Sequence, residues 1–169
     1  MRFVYGKQEM RSLSRSQESC FLLTNGLGGY ASLTAAYSAN RCDQGVLIAA
    51  QKAPGERVTL VHRLRETLTV DGKPYWLSTQ QFADGTTPED GFRNLSFFAF
   101  ENIPHWRYHI GGVRVTRTMA MTYGQNTTAV IYKVENQSND ACSLTVDPFV
   151  KFGPKETAIK AAPNISFSQ

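Results

Sequence analysis

The stretch LLTNGLGGYAS, residues 22–32, has the spacing in this sequence that most directly suggests chemistry. It fits the pattern G-x-G-x-x-A, in which a glycine-rich turn brings backbone N–H groups close to the phosphates of a dinucleotide. Such a site also needs a helix after the glycines, followed by a strand that ends in an acidic residue about 20 residues further on. Here Asp43 precedes the next apolar run, GVLIAA, and no carboxylate follows that run directly. We therefore expect Gly26, Gly28 and Gly29 to form a sharp connection between two strands, with positive φ at some of them.

Few other residues stand at spacings that could bind a metal or carry acid–base catalysis. The candidate ligands are His62, His105, His109, Cys20, Cys42 and Cys142. The histidines lack a partner at ligand spacing, and an odd number of widely spaced cysteines favours buried, reduced thiols over a disulfide framework or a zinc site. Asp84, Glu89 and Asp90 lie in a polar loop that contains glycine, where we expect solvated turn residues. We therefore expect no metal, no cofactor and no catalytic residue in this chain.

The elements that must position the glycine loop are mostly β-strands. RETLTVDGKPYWLS and HWRYHIGGVRVTRTMAMTYG alternate apolar and polar residues on both sides of a turn, Asp71-Gly72 in the first and Gly111-Gly112 in the second. This pattern predicts two hairpins. About nine or ten strands, separated by turns every 8–12 residues or so, are typical of a sandwich or barrel. The one helix that the pattern predicts is ASLTAAYSA, residues 31–39.

The strand after Gly111-Gly112 has a period of two. One face carries Val113, Val115, Met119 and Met121, and the other carries Arg114, Thr116, Thr118 and Thr122. Alternation of this kind predicts an antiparallel strand with one buried and one solvated face. The unbroken apolar run GVLIAA instead predicts a strand that is covered on both faces.

Composition and charge exclude several classes of protein. The chain has 169 residues and a net charge of +4, with its basic residues scattered along the sequence. We therefore expect an ordinary solvated surface and no nucleic-acid partner. No apolar run approaches the roughly 18 residues that a membrane span needs, and the N-terminus lacks the features of a signal peptide. The expected location is cytoplasmic, without a membrane partner.

Several segments together resemble a known family. These are LLTNGLGGYASLT, then GVLIAAQKAPGERVTLVHRLRETLTVDGKPYWLSTQQFADG, then FFAFENIPHWRYHIGGVRVTRTMAMTYGQNTTAVIYKVEN. In this order they are similar to the N-terminal domain of bacterial and archaeal glycogen-debranching enzymes, over about residues 21–151. The resemblance implies a large antiparallel two-sheet β-sandwich of the galactose-mutarotase type. Many members have Arg-Arg-Tyr-His-Gly before the GVLIAA-like strand, whereas this chain reads Arg41-Cys42-Asp43-Gln44-Gly45.

The resemblance also implies where catalysis resides. The family hydrolyses α-1,6 branch linkages in glycogen-like glucans, using a pair of carboxylates in a C-terminal helical-barrel domain. We expect residues 1–169 to form a single sandwich domain and the catalytic domain to be absent from this chain. The chain would then have no activity by itself and would act as a non-catalytic domain. Its partners would be an α-glucan and the C-terminal helical catalytic domain of the same polypeptide.

The residues expected to contact a glucan flank the glycine loop and the segment after it. Sugars are bound by aromatic faces and by planar polar side chains that reach their hydroxyls. The candidates are Asn25, Tyr30, Arg41, Asp43 and Gln44. Trp76 and Trp106 are further options, although both also suit a core position. Two alternatives stay open: a stand-alone α-glucan-binding module, and a structural module that makes only domain–domain contacts.

Overall fold

A computed structural model describes residues 3–52 and 55–157. Strands make up 56% and helices 8% of it, so the predicted all-β fold with little helix is confirmed. The strands are β1 (Phe3–Gly6), β2 (Leu23–Thr24), β3 (Tyr30–Ser32), β4 (Gly45–Lys52), β5 (Glu56–Val70), β6 (Lys73–Trp76), β7 (Thr79–Gln80), β8 (Glu89–Asp90), β9 (Leu95–Phe100), β10 (Pro104–Ile110), β11 (Val113–Met121), β12 (Thr128–Asn136) and β13 (Cys142–Pro154). The helical elements of the described ranges are α1 (Leu13–Glu18) and the 3₁₀ turns Glu9–Arg11 and Gly91–Arg93.

The strands form two main antiparallel sheets that enclose one core. The first sheet has the order β1-β9-β10-β11-β12, and the second has the order β13-β5-β4-β3-β2 with β6 paired to β5. Each sheet contributes inward-facing apolar residues, such as Val115 from β11 and Leu68 from β5, which are completely buried. Two sheets that each bury one face against the other form a sandwich, as predicted. The galactose-mutarotase type of sandwich stays a prediction.

Both predicted hairpins are present. In the first, Val70 pairs with Lys73 across Asp71 (φ 50°) and Gly72 (φ 71°). In the second, Ile110 pairs with Val113 across two glycines with φ of 53° and 77°. Positive φ at both central residues is the geometry of a type I′ turn, whose twist matches that of the flanking strands.

Trp106 of β10 lies at the centre of an aromatic core. Its side chain has no exposed surface, and its indole Nε1 donates a 2.9 Å hydrogen bond to the carbonyl oxygen of Ala35. The rings of Phe21, Tyr37 and Phe98 lie 5.1–5.4 Å from it, centroid to centroid. The core position is therefore the correct interpretation of Trp106, and this residue is not available to a sugar.

The predicted helix over residues 31–39 is wrong. The chain leaves β3 and forms a compact turn, in which the Thr34 carbonyl accepts from Tyr37 N at 2.9 Å and Thr34 Oγ1 accepts from Ser38 N at 3.1 Å. Threonine and serine side chains compete in this way with the backbone bonds of a helix. The α-helix lies instead at α1, where Ser12 caps the first turn by accepting from Arg15 N.

An ion pair lies inside the sandwich, which the sequence pattern did not predict. Arg117 occupies an inward position of β11 between Val115 and Met119, and its guanidinium binds the carboxylate of Glu66 on β5. Tyr108 accepts a 2.6 Å hydrogen bond from Arg117 Nη2, and the Tyr132 hydroxyl donates to Glu66. Burial raises the pKa of Glu66, and the nearby Arg117 opposes that rise.

The outer strands β12 and β13 leave apolar side chains uncovered. Val134 pairs with the buried Val115, so it points inward, yet 41% of it is exposed. Val146 pairs with the buried Glu66 and is 36% exposed. Ile131, on the outer face of β12, and Phe152 of β13 are also exposed, at 58% and 47%. An apolar flank of the sandwich is therefore open on this side.

Candidate functional site

The glycine loop, residues 25–29, joins two antiparallel strands. Leu23 and Thr24 of β2 pair with Ala31 and Tyr30 of β3, and the Asn25 N–H donates to the Gly29 carbonyl at 3.2 Å. Gly26 has φ 79° and Gly28 has φ 91°, a conformation that glycine adopts without strain. A strand follows the glycines, where a dinucleotide site would require a helix.

Asn25 is buried beneath this loop. Its Nδ2 donates to the Gln125 carbonyl at 2.9 Å and to Asn126 Oδ1 at 3.0 Å, while its Oδ1 accepts from the N–H groups of Leu27 and Gly29 at 2.9 and 3.0 Å. An asparagine amide has two donor hydrogens and two acceptor lone pairs, so all four positions are used. Asn25 therefore shapes the loop and lies apart from Tyr30, Arg41, Asp43 and Gln44, the other residues predicted to contact a glucan.

Asn126 is the partner that sequence reasoning missed. Its Oδ1 accepts from Ala50 N at 3.0 Å, and its Nδ2 donates to the Ala50 carbonyl at 2.9 Å, so it pairs with β4 as a strand residue would. The Gly124 N–H also donates to the Asn25 carbonyl at 2.7 Å. The glycine loop is therefore fastened to the turn between β11 and β12. A run of polar residues, YGQNTT, was the sequence signal for that turn.

The other four candidates lie together at a groove of about 470 Å³. Tyr30 projects from β3, and Arg41, Asp43 and Gln44 come from the segment that leads into β4. The remaining lining residues are Cys20, Phe21, Leu22, Thr24, Gly28, Gly29, Ser32, Arg57 and Lys155. The volume falls in the range of about 300–1,000 Å³ that is usual for small-molecule sites.

The Tyr30 ring is held in a fixed orientation at this groove. Its hydroxyl donates a 2.7 Å hydrogen bond to the Asp43 carbonyl, and the Arg57 guanidinium lies 5.8 Å from its ring centroid. Arg57 is itself oriented by a 2.6 Å hydrogen bond from Nε to the Gly28 carbonyl. Burial raises the pKa of the Tyr30 hydroxyl, so the group stays a protonated donor at neutral pH.

Gln44 fixes the shape of the segment opposite Tyr30. Its Oε1 accepts from the N–H groups of Asn40 and Arg41 at 2.9 and 3.2 Å, and the side chain is 2% exposed. Arg41 and Asp43, which precede this buried anchor in the chain, are exposed. The segment thus presents a guanidinium and a carboxylate to solvent from a turn whose backbone is fixed by hydrogen bonds to Gln44.

Two expectations about other polar residues need correction. Cys20 and Cys42 are exposed free thiols, not buried ones, and Cys142 is only half-buried. Glu89 is not a solvated turn residue, because it accepts two hydrogen bonds from Arg63 at 2.8 and 3.0 Å and one from Ser78 at 2.7 Å. Within residues 3–52 and 55–157, no group of three or more His, Cys, Asp or Glu side chains could hold a metal ion.

No helix among the described residues is both long enough and apolar enough to cross a membrane.

Comparison with known protein families identifies a match. A family model described as glycogen debranching enzyme N terminal matches residues 19–169. The matched range includes the glycine loop, both hairpins and every residue that lines the groove. No curated protein and no solved structure matches the chain.

Proposed function

Because the chain belongs to the family of glycogen debranching enzyme N-terminal domains, we propose that it is a non-catalytic domain that helps to bind an α-glucan. In this proposal it also packs on the C-terminal α-1,6-glucosidase domain of the same polypeptide. The groove beside the glycine loop is the observation that carries the binding role. The proposal includes a cytoplasmic location, in line with a glucan substrate.

The chemistry of the groove suits a sugar. Tyr30 offers an aromatic ring whose face can contact sugar C–H groups, and its hydrogen bond to Asp43 keeps that ring in place before a ligand arrives. Arg41 and Asp43 offer donors and acceptors for hydroxyls, and both are exposed. A prearranged ring with polar groups beside it lowers the entropic cost of binding.

The open flank of β12 and β13 supports the docking role. Val134 and Val146 point toward the core from the two edge strands, yet both are more than a third exposed. Apolar surface of this kind usually marks an interaction site. The occupant that family membership favours is the catalytic domain of the same polypeptide.

The test uses Tyr30→Ala and Arg41→Ala in the full-length enzyme, with kcat/KM measured on a branched α-glucan. Loss of a contact that leaves a polar partner unpaired costs ~1–3 kcal/mol, so we expect kcat/KM to fall by about 5- to 150-fold. Matched controls are Phe82→Ala and Arg93→Ala, because these side chains are exposed at 54% and 71% and lie outside the groove. The controls should leave kcat/KM unchanged.

A melting curve for each variant separates binding from folding. If Tyr30→Ala and Arg41→Ala lower the melting temperature strongly while kcat/KM stays the same, the two residues are structural and the groove does not bind glucan. Titration of maltoheptaose into the isolated chain addresses the alternatives. Binding at the groove supports a glucan-binding role, and the absence of binding at the groove supports a purely structural role.

A further inference from the structure

Arg57 brings a positive charge to the groove wall without a carboxylate partner. Seven other basic side chains among the described residues form ion pairs within 4.0 Å, and Arg57 is not one of them. Its hydrogen bond runs from Nε to the Gly28 carbonyl at 2.6 Å, and its guanidinium faces the Tyr30 ring at 5.8 Å. Nη1 and Nη2 make no hydrogen bond to any residue that the structure describes, so among these residues the outer edge of the guanidinium has no partner.

Two more cations line the same groove. Arg41 is exposed, and Lys155 is linked to Arg57 by a 3.3 Å hydrogen bond from its backbone N–H to the Arg57 carbonyl. Glu156 binds Lys155 Nζ at 3.1 Å, but 76% of the Glu156 side chain is exposed, so this pair is a weak one. Of the described residues that line the groove, only Asp43 carries a carboxylate.

This charge is more than a neutral sugar requires. Hydroxyl groups are bound well by amides, hydroxyls and backbone groups, so a neutral sugar does not require three cations in one groove. A free guanidinium edge, in contrast, matches the oxygens of a phosphate in a two-point hydrogen bond. Because Nε is already engaged, the Arg57 plane is fixed and less entropy is lost when an anion binds.

We propose that the groove binds a phosphate ester of a sugar, with the phosphate on Arg57, Lys155 and Arg41 and the sugar ring against Tyr30. This inference rests on the proposed function, since it assigns a charge to the ligand of the same groove. The ligand class is a phosphorylated glucan or a small sugar phosphate, which share this chemistry. Asp43 would oppose the phosphate and favour the sugar hydroxyls.

The experiment titrates the whole chain with four probes: glucose, glucose 6-phosphate, inorganic phosphate and maltoheptaose. We expect glucose 6-phosphate to bind about tenfold more tightly than glucose at low ionic strength, since hydrogen bonds between charged groups are the stronger ones. Raising the salt from about 20 mM to about 200 mM should reduce this advantage, because added salt screens exposed charges. Arg57→Gln and Lys155→Gln should each remove most of the advantage, and Asp43→Asn should increase it.

The inference is overturned if glucose and glucose 6-phosphate bind with equal affinity. It is also overturned if the tighter binding of glucose 6-phosphate persists in Arg57→Gln and Lys155→Gln. If inorganic phosphate binds as tightly as glucose 6-phosphate, the sugar ring adds no affinity, and the part of the inference that places the ring against Tyr30 is overturned. Maltoheptaose tests the proposed function separately, since a groove that binds neutral glucan without a phosphate preference keeps that function and loses only this inference. Lys155→Gln leaves the Arg57–Gly28 hydrogen bond in place, so it serves as the second variant if Arg57→Gln disturbs the loop.

Discussion

Glu66 on β5 and Arg117 on β11 form an ion pair in which neither side chain has any exposed surface. The pair joins the two sheets through the middle of the core. The guanidinium of Arg117 also lies 3.2 Å from the ring centroid of Tyr37, so it is covered by an aromatic face as well as by its carboxylate partner. Removing both charges from water is costly, and this cost is offset only while both partners are present.

Replacing one partner of this pair should therefore be far worse than replacing both. We expect Arg117→Met to lower the free energy of unfolding by about 3–5 kcal/mol, because it leaves the Glu66 carboxylate buried and unpaired. The double variant Glu66→Leu with Arg117→Met should recover a substantial part of that loss. Urea unfolding of the parent protein, Arg117→Met and the double variant measures these free energies. Arg93→Met is the control, since the Arg93–Asp90 pair is 71% and 45% exposed and should contribute less than about 1 kcal/mol. A double variant no more stable than Arg117→Met would contradict this account.

Two acidic residues of one loop region should respond differently to amide substitution. Glu89 is buried against Arg63 and Ser78, so Glu89→Gln weakens charged hydrogen bonds and should cost about 2 kcal/mol. Asp84 is exposed and accepts hydrogen bonds from Thr86 of its own turn, at 2.7 and 2.9 Å. Asp84→Asn should leave the unfolding midpoint close to that of the parent protein. Equal midpoints for the two variants would show that the Glu89 network does not stabilise the fold.

Gly29 should not tolerate a methyl group. A Cβ there would lie 2.6 Å from both Asn126 Oδ1 and Asn25 Nδ2, and 3.2 Å from Ala50 N. We expect Gly29→Ala to cost about 3 kcal/mol, from overpacking and from the loss of hydrogen bonds in the loop. Gly124→Ala is the matched control, because its φ of 74° strains an alanine while nothing lies within 4 Å of the added Cβ. Strain alone should cost ~1–2 kcal/mol there. Thermal melting compares the stabilities of the two variants. A greater loss of stability in Gly124→Ala than in Gly29→Ala would be inconsistent with the packing around Gly29.

His62 should make the protein less stable in mild acid. Burial lowers the pKa of His62 below its ordinary value of 6.5, and the charges of Arg63 and Lys151 act in the same direction, against a smaller opposing effect of the Gln44 backbone. The unfolded chain then binds a proton more readily than the folded one, so the free energy of unfolding falls as the pH drops below about 6.5. Urea unfolding at several pH values measures this slope, and His62→Gln should flatten it. A slope that is the same in both proteins would remove His62 as its cause.

Local features of the fold could be predicted from the sequence because their determinants are neighbours in the chain. Asp71-Gly72 and Gly111-Gly112 specify type I′ turns through φ preferences alone, and the flanking alternation sets which strand face is buried. The ion pair of Glu66 and Arg117 depends on the relative register of two sheets, which no local pattern encodes. The sequence does place a charged residue at an inward position of each strand, Glu66 in the β5 alternation and Arg117 in the β11 alternation.

The residues predicted at the site also differ in whether their positions depend on neighbours in the chain or on distant residues. Tyr30, Arg41, Asp43 and Gln44 lie on two segments joined by a short stretch of chain, and the structure brings them to one groove. Asn25 sits only five positions from Tyr30, yet its side chain is turned inward. Its partners come from a turn that lies far along the sequence, so the role of Asn25 could not be read from its neighbours.

The link between Asn25 and the β11–β12 turn also bears on the order of folding. Its hydrogen bonds to Gln125 and Asn126 span 100 and 101 residues of sequence. Contacts of such long range close large loops and form slowly, whereas the two hairpins close at once with their own neighbours. During synthesis the glycine loop leaves the ribosome early but can take its final shape only after Asn126 has followed and β11 has paired with β12. The groove, which Gly28 and Gly29 of this loop help to line, therefore cannot be complete while only the two hairpins have formed.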